Sequence, residues 1–229
     1  MAKLILFDID GTLVLTGGAG IRAMNRAGAA VLGVDNLLEG VQVAGRTDWS
    51  ILHDALKNAG HELDEHLFER MRDAHHEYLR EEIEHPGDGV KDVMPGIREL
   101  LRALQARDDA FLGLLTGNFE EAARIKLDHF DLWEYFRCGA FGDDAADRNA
   151  LVPFAVDRAR ECGFGTFAYA DVVVIGDTPH DVACAQAVGA LPVAVATGHF
   201  TIDQLRATGA PVVLEDLRDT ESFVRLIER

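Results

Sequence analysis

Five side chains with oxygen donors stand after short apolar runs: Asp8 and Asp10 after LILF, Thr116 after FLGLL, and Asp177 and Asp181 after VVVIG. Where such runs are strands of one open parallel sheet, their C-terminal ends share an edge, and residues far apart in sequence meet there. Carboxylates gathered at one edge repel one another unless a hard cation lies among them, and ligation by oxygen alone suits Mg²⁺. An isolated Asp beside Gly ordinarily caps a helix or turn. Its recurrence at the ends of separate runs points instead to a shared site.

The elements that must position these residues are legible in the hydrophobic pattern. LILF (4–7), FLGLL (111–115), VVVI (172–175), PVAVA (192–196) and VVL (212–214) are short and continuously apolar, as expected of strands buried on both faces. Between them run helical patterns at 97–107, 119–130, 151–163 and 180–189, the last two closed by Gly163 and Gly189. Strand and helix in alternation predict an α/β fold, a Rossmann-like parallel sheet with helices on both faces. Residues 16–91 break the rhythm with three helical segments and no convincing strand, which predicts an inserted all-helical domain. The expected division is therefore a core of residues 1–15 and 92–229 and a helical insert at 16–91, with the glycines at 17–20 and the segment 87–93 as hinges.

Composition narrows the partners. The 229 residues carry 22 Lys and Arg against 39 Asp and Glu, a net charge of −17, which removes the basic footprint that nucleic acid or an anionic membrane requires. The same field repels a small anion, so an anionic substrate must meet a local cluster of cations or a metal ion. Cys138, Cys162 and Cys184 are odd in number and far apart, which reads as reduced thiols in small core volumes and a cytoplasmic location. Carboxylates by position 8 argue against a signal peptide, and no apolar stretch approaches the roughly 18 residues of a membrane span. Oligomeric state is left open.

The motifs now resemble a known family. LILFDIDGTLV resembles the DxDGT opening signature of the haloacid dehalogenase-like superfamily, LLTGN is similar to its second motif, and VVVIGDTPHDVACAQAVGA resembles its GDxxxD fourth motif. The insert resembles the small helical cap of the phosphoglycolate phosphatase and β-phosphoglucomutase branch, and AGRTDWSIL is similar to a Gly-Arg segment in such caps. The third motif of that branch is usually Lys-Pro, whereas this chain reads Arg148-Asn149; Arg keeps the charge and adds a bidentate fork. Lys126 is a second candidate for that cation, although a lysine borne on a helix is ordinarily solvated.

The resemblance implies a Mg²⁺-dependent phosphatase for a small phosphorylated metabolite. Asp8 would be the nucleophile and Asp10, expected on the same side of the strand, the general acid and base. Asp8, the Asp10 main-chain carbonyl, Asp177 and Asp181 would hold the metal, and Thr116, the Gly117 amide and Arg148 the phosphoryl oxygens. Thr116 is followed by Gly117-Asn118 where the branch often has Asn directly, so Asn118 is a substrate contact with an unsettled part. Arg46 either reaches a substrate anion from the cap or lies on the surface. A phosphomutase of the β-phosphoglucomutase type and a non-catalytic sensor phosphorylated on Asp8 are the competing functions.

Other signals carry less. GVQVAGRT (40–47) differs from a Walker loop at Arg46 and follows no strand, so nucleotide binding is not expected there. His53, His75 and His76 have no partners at metal-ligand spacing.

Overall fold

The inner strands of the central sheet are buried from both sides, the edge strand at 212–214 is half-buried, and the alternating side chains sort into two layers. The computed structural model describes residues 2–62 and 64–228. In β1 (Lys3–Phe7), Ile5 and Phe7 join a core completed by α4 (Ile97–Gln105), α5 (Glu120–His129) and the helix Thr220–Ile227. Leu4 and Leu6 join the opposite core, completed by α6 (Leu151–Glu161) and α7 (Pro179–Val188). β4 (Ala110–Leu115) and β6 (Val172–Gly176) flank β1, and every pairing in the six-stranded sheet is parallel. With β5 (Gly139–Ala140), β7 (Leu191–Val195) and β8 (Val212–Leu214) the order is β5-β4-β1-β6-β7-β8. The sites at the ends of β1, β4 and β6 are thereby neighbours.

Three strands escape the hydrophobic pattern. β5 has only two residues and exists by pairing with β4, so no run announces it. A second, two-stranded antiparallel sheet joins β2 (Val14–Thr16) to β3 (Lys91–Val93) where the insert leaves and re-enters the core. This ribbon replaces a loose hinge with a hydrogen-bonded one. The two connections also touch: a Cβ at Gly87, whose φ is 68°, would lie 2.2 Å from the Gly17 carbonyl oxygen.

The insert consists of α1 (Ala19–Leu32), α2 (Asp48–Asn58) and α3 (Glu65–Glu82). Met24, Ala27, Leu52, Leu56 and Met71 recur at helical spacing and form its own core. Thr47 caps α2 by accepting from the Ser50 amide at 3.2 Å, and Asp64 caps α3. A separate apolar contact, through Ala19, Ala23, Leu79, Ile83, Phe119 and Ala122, seats the insert on α5. Among the described residues no helix is long and apolar enough to cross a membrane.

Candidate active site

β1 and β6 run together to their last residues, where the Asp8 amide still donates to the Ile175 carbonyl at 2.9 Å. One step beyond, Asp8, Asp177 and Asp181 each turn a carboxylate oxygen inward, and these oxygens all lie within 4.8 Å of one another. All three residues are buried. Asp181 is fixed by the start of α7: its Oδ2 accepts from the Thr178 amide at 3.0 Å and from the Thr178 hydroxyl at 2.8 Å, completing a capping box. Thr12 steadies Asp177 by donating to its Oδ1 at 3.3 Å.

Arg148 neutralises part of this charge. It lies on the short 3₁₀ turn Arg148–Ala150, held by the Asp147 carboxylate accepting from the Asn149 amide. Its Nη2 stands 2.9 Å from Asp8 Oδ1 and also donates to Asp181 Oδ1, so one nitrogen bridges two carboxylates rather than forking onto one. Nη1 donates across to the Gly45 carbonyl of the insert at 3.4 Å, and buried Nε has no protein partner among the described residues.

Burial pushes the Asp8 carboxyl up to about 6, with Arg148 opposing and Asp181 and Asp10 adding to the rise. Burial likewise drives Asp177 up to about 8, reinforced by the Asp8 and Asp181 carboxylates. Against the lowering effect of burial, Asp181 and Asp8 hold the Arg148 guanidinium protonated and raise it above its ordinary range. Two carboxyls pushed so far up mean one arginine does not balance the site. A donor set of three buried carboxylates, oxygen only, fits a hard divalent cation.

Asp10 behaves differently. Both it and Asp8 lie past the end of β1, so strand alternation does not put them on one side, and Asp10 is outside the buried trio. Its side chain is 45% exposed, and its carboxylate is held from behind. Lys126 Nζ stands 2.8 Å from Oδ1 and 2.6 Å from Oδ2, and donates to Asn118 Oδ1 at 2.6 Å. Asn118 Nδ2 donates to Asp10 Oδ2 and to Thr116 Oγ1, each at 2.8 Å. Asn118 thus links the end of β4 to Asp10. The expected solvated Lys126 is corrected: it is 6% exposed, because α5 packs under the insert and leaves its ammonium only this polar niche.

Arg46, expected either to reach a substrate anion or to lie on the surface, is turned into the insert. Its guanidinium pairs with Asp54 at 2.7 Å and donates to the Ser50 and Gln42 carbonyls, all within the insert. What comes to the site is its main chain, since a Cβ at Gly117 would lie 2.1 Å from the Arg46 carbonyl oxygen. Thr47 and Asp48 complete this seam. The Thr47 hydroxyl donates to Ala146, the Asp48 amide donates to Gly117 at 2.6 Å, and the Asp48 carboxylate accepts from the Phe119 amide at 2.9 Å. Burial pushes the Asp48 carboxyl up to about 6, with Lys126 pulling it down. Little in the sequence marks Asp48 beyond the helix-capping pattern Thr47-Asp48 beside Arg46.

The histidines pack. His75 and His76 lie against Phe119, and burial, then His76 and Lys126, lowers His75 to about 3. His53 stacks on Trp49. Cys184 is buried, whereas Cys138 and Cys162 are only half-buried, so the expectation of three core-filling thiols holds for one; all three are free.

A model of the family described as haloacid dehalogenase-like hydrolase matches residues 2–189. The chain is 28% identical to a phosphoglycolate phosphatase of Pseudomonas syringae pv. syringae over 241 residues, covering 95% of this chain and 78% of the relative. It is also 28% identical to a phosphoglycolate phosphatase of Chromobacterium violaceum, covering 90% of each chain. Among solved structures it superposes on CbbY from Rhodobacter sphaeroides in complex with phosphate with a TM-score of 0.73 at 22% identity, over 96% of each chain.

Proposed function

This chain belongs to the haloacid dehalogenase-like hydrolase family, and on that premise we propose that it is a phosphatase that hydrolyses a small phosphate monoester through an aspartyl phosphate on Asp8. The observation that carries this reading is the buried trio Asp8, Asp177 and Asp181 with the Arg148 guanidinium 2.9 Å from Asp8. A nucleophilic carboxylate, a counter-charge and an oxygen-only cation site stand together.

In the first half-reaction an Asp8 oxygen attacks phosphorus, the bond to the ester oxygen breaks, and Asp10 gives that oxygen its proton. In the second, the Asp10 carboxylate takes a proton from water as the water attacks phosphorus, which restores Asp8 and releases phosphate. Thr116, the Gly117 amide and Arg148 hold the non-bridging oxygens and stabilise their charge. The unpartnered Arg148 Nε offers a buried donor for that task. Asp8, Asp177, Asp181 and the Asp10 main-chain carbonyl would hold Mg²⁺, which when bound screens the approach of two anions.

Residues 16–91 act as the cap over a core formed by 1–15 and 92–229, and the substrate is a small phosphorylated metabolite of the phosphoglycolate kind, as the relatives' names suggest. Three free thiols fit a reducing cytoplasm. The test is phosphate release from 2-phosphoglycolate, sugar phosphates, nucleotides and pyrophosphate, with Mg²⁺ and with excess chelator. Metal-dependent release that disappears in Asp8→Asn supports the reading. Isomerisation of a hexose phosphate without release would make the chain a mutase, and a long-lived phosphoryl group on Asp8 would make it a sensor.

A further inference from the structure

We infer that Lys126, bound to both oxygens of Asp10 and to Asn118, is a positioning residue that aims the Asp10 carboxyl at the leaving group and keeps it out of the cation site. This rests on the phosphatase reading above. A buried ammonium is costly unless paired. The pairing here is specific: Lys126 hydrogen-bonds both oxygens of Asp10, whereas the nearby Asp48 carboxylate accepts from the Phe119 amide. Lys126 and Asn118 approach Asp10 from the protein side, and the carboxylate keeps its exposed face.

The arrangement separates two carboxylates that lie only two positions apart in the sequence. Asp8 joins Asp177 and Asp181, whereas Asp10 is drawn to the end of β4 and the middle of α5. Held at the end of β4, the Asp10 carboxyl stays open to solvent on the face where it would hand a proton to an ester oxygen and take one from water. The side-chain partners of Lys126 are Asp10 and Asn118, so its effect passes through Asp10. It is therefore distinct from Arg148, which faces Asp8.

A leaving group that needs no proton distinguishes this role from a structural one. Formation of the Asp8 phosphoenzyme would be followed by rapid quench under single-turnover conditions with 2-phosphoglycolate and with p-nitrophenyl phosphate. Lys126→Met should slow transfer from 2-phosphoglycolate by roughly 100-fold and the p-nitrophenolate burst by less than about 5-fold, the span of general acid catalysis. Lys126→Arg, which still binds Asp10, should recover much of the lost rate on 2-phosphoglycolate. If Lys126→Met does not fold, Lys126→Gln, which keeps a donor but no charge, takes its place in the same comparison. Equal losses on both esters, or no loss on 2-phosphoglycolate, overturn the assignment. A wild-type enzyme that forms no phosphoenzyme with either ester overturns the phosphatase reading itself and the assignment with it.

Discussion

Asp8 and Asp10 are two positions apart in the chain, yet they live in opposite electrostatic surroundings. Asp8 is buried among carboxylates with Arg148 as its counter-charge, and its carboxyl is pushed up to about 6. Asp10 is exposed on one face and backed on the other by Lys126 and Asn118. The two cations are not alternatives for one post, since each serves a different carboxylate. One cluster is built to concentrate negative charge, and the other to hold a single carboxyl in a fixed direction. Identical side chains can take opposite roles in a reaction because the surrounding cations and solvent differ.

The hardest blow to this contrast is Asp8→Asn, which removes the proposed nucleophile and no core volume. Turnover should fall by about 10⁴-fold or more with the melting temperature preserved or raised; a variant with near-normal turnover would move the chemistry away from the buried trio. Excess chelator should bring phosphate release close to background and added Mg²⁺ should restore it, because three close carboxylates cannot all stay ionised beside a phosphate. Full turnover in chelator would break the charge-concentrating half of the comparison.

Arg148→Ala should lower kcat by about 10²–10³-fold, in the range of oxyanion donors. Arg148→Lys should fall between, since an ammonium can reach Asp8 or Asp181 but cannot also send a second donor to Gly45. Steady-state rates on the best substrate decide the order. Gly117→Ala tests the seam rather than the charges: its Cβ would sit 2.1 Å from the Arg46 carbonyl oxygen, so cap and core must part. A destabilisation of about 1–3 kcal/mol is expected from such overpacking, with a loss in kcat/KM read from initial rates.

The smallest effect is thermal. Asp8 and Asp177 carry folded-state values of about 6 and about 8, above the ordinary carboxylate range. The folded protein therefore binds these protons more tightly than the unfolded chain does. Their contribution to stability is full below about pH 4 and is lost as pH rises through 6 and then 8. In metal-free protein this should lower Tm by several degrees between pH 5 and pH 8, roughly 2–4 °C for each kcal/mol lost. Mg²⁺ should raise Tm more at pH 8 than at pH 5, and a metal response independent of pH would show that the trio does not bind the ion.

Much of the fold is written in local pattern. The apolar runs at 4–7, 111–115, 172–175 and 192–196 coincide with strands because a strand covered on both faces is apolar at nearly every position, and the run at 212–214 marks the half-buried edge strand. The helices of the insert show their buried stripes just as directly. β2, β3 and β5 had no such signature, being two or three residues long and held by partners up to 79 positions away, as in the Val14 to Val93 pairing. The helices at 202–207 and 220–227 lack one as well, each being too short to establish a period.

For the site, sequence alone determined that Asp8, Asp10, Thr116, Asp177 and Asp181 stand after strand-forming runs, and parallel alternation brings such ends to one edge. Only the tertiary structure decided how the charges pair. Lys126 reaches Asp10 across 116 positions, Arg148 reaches Asp181 across 33, and Arg46 turns to Asp54 in its own domain. Hydrophobic periodicity reports which face of an element is buried, and that is a local property of the chain. The partner of a long cationic side chain depends on which pocket excludes water around it, and that pocket exists only after sheet, helices and insert have closed together.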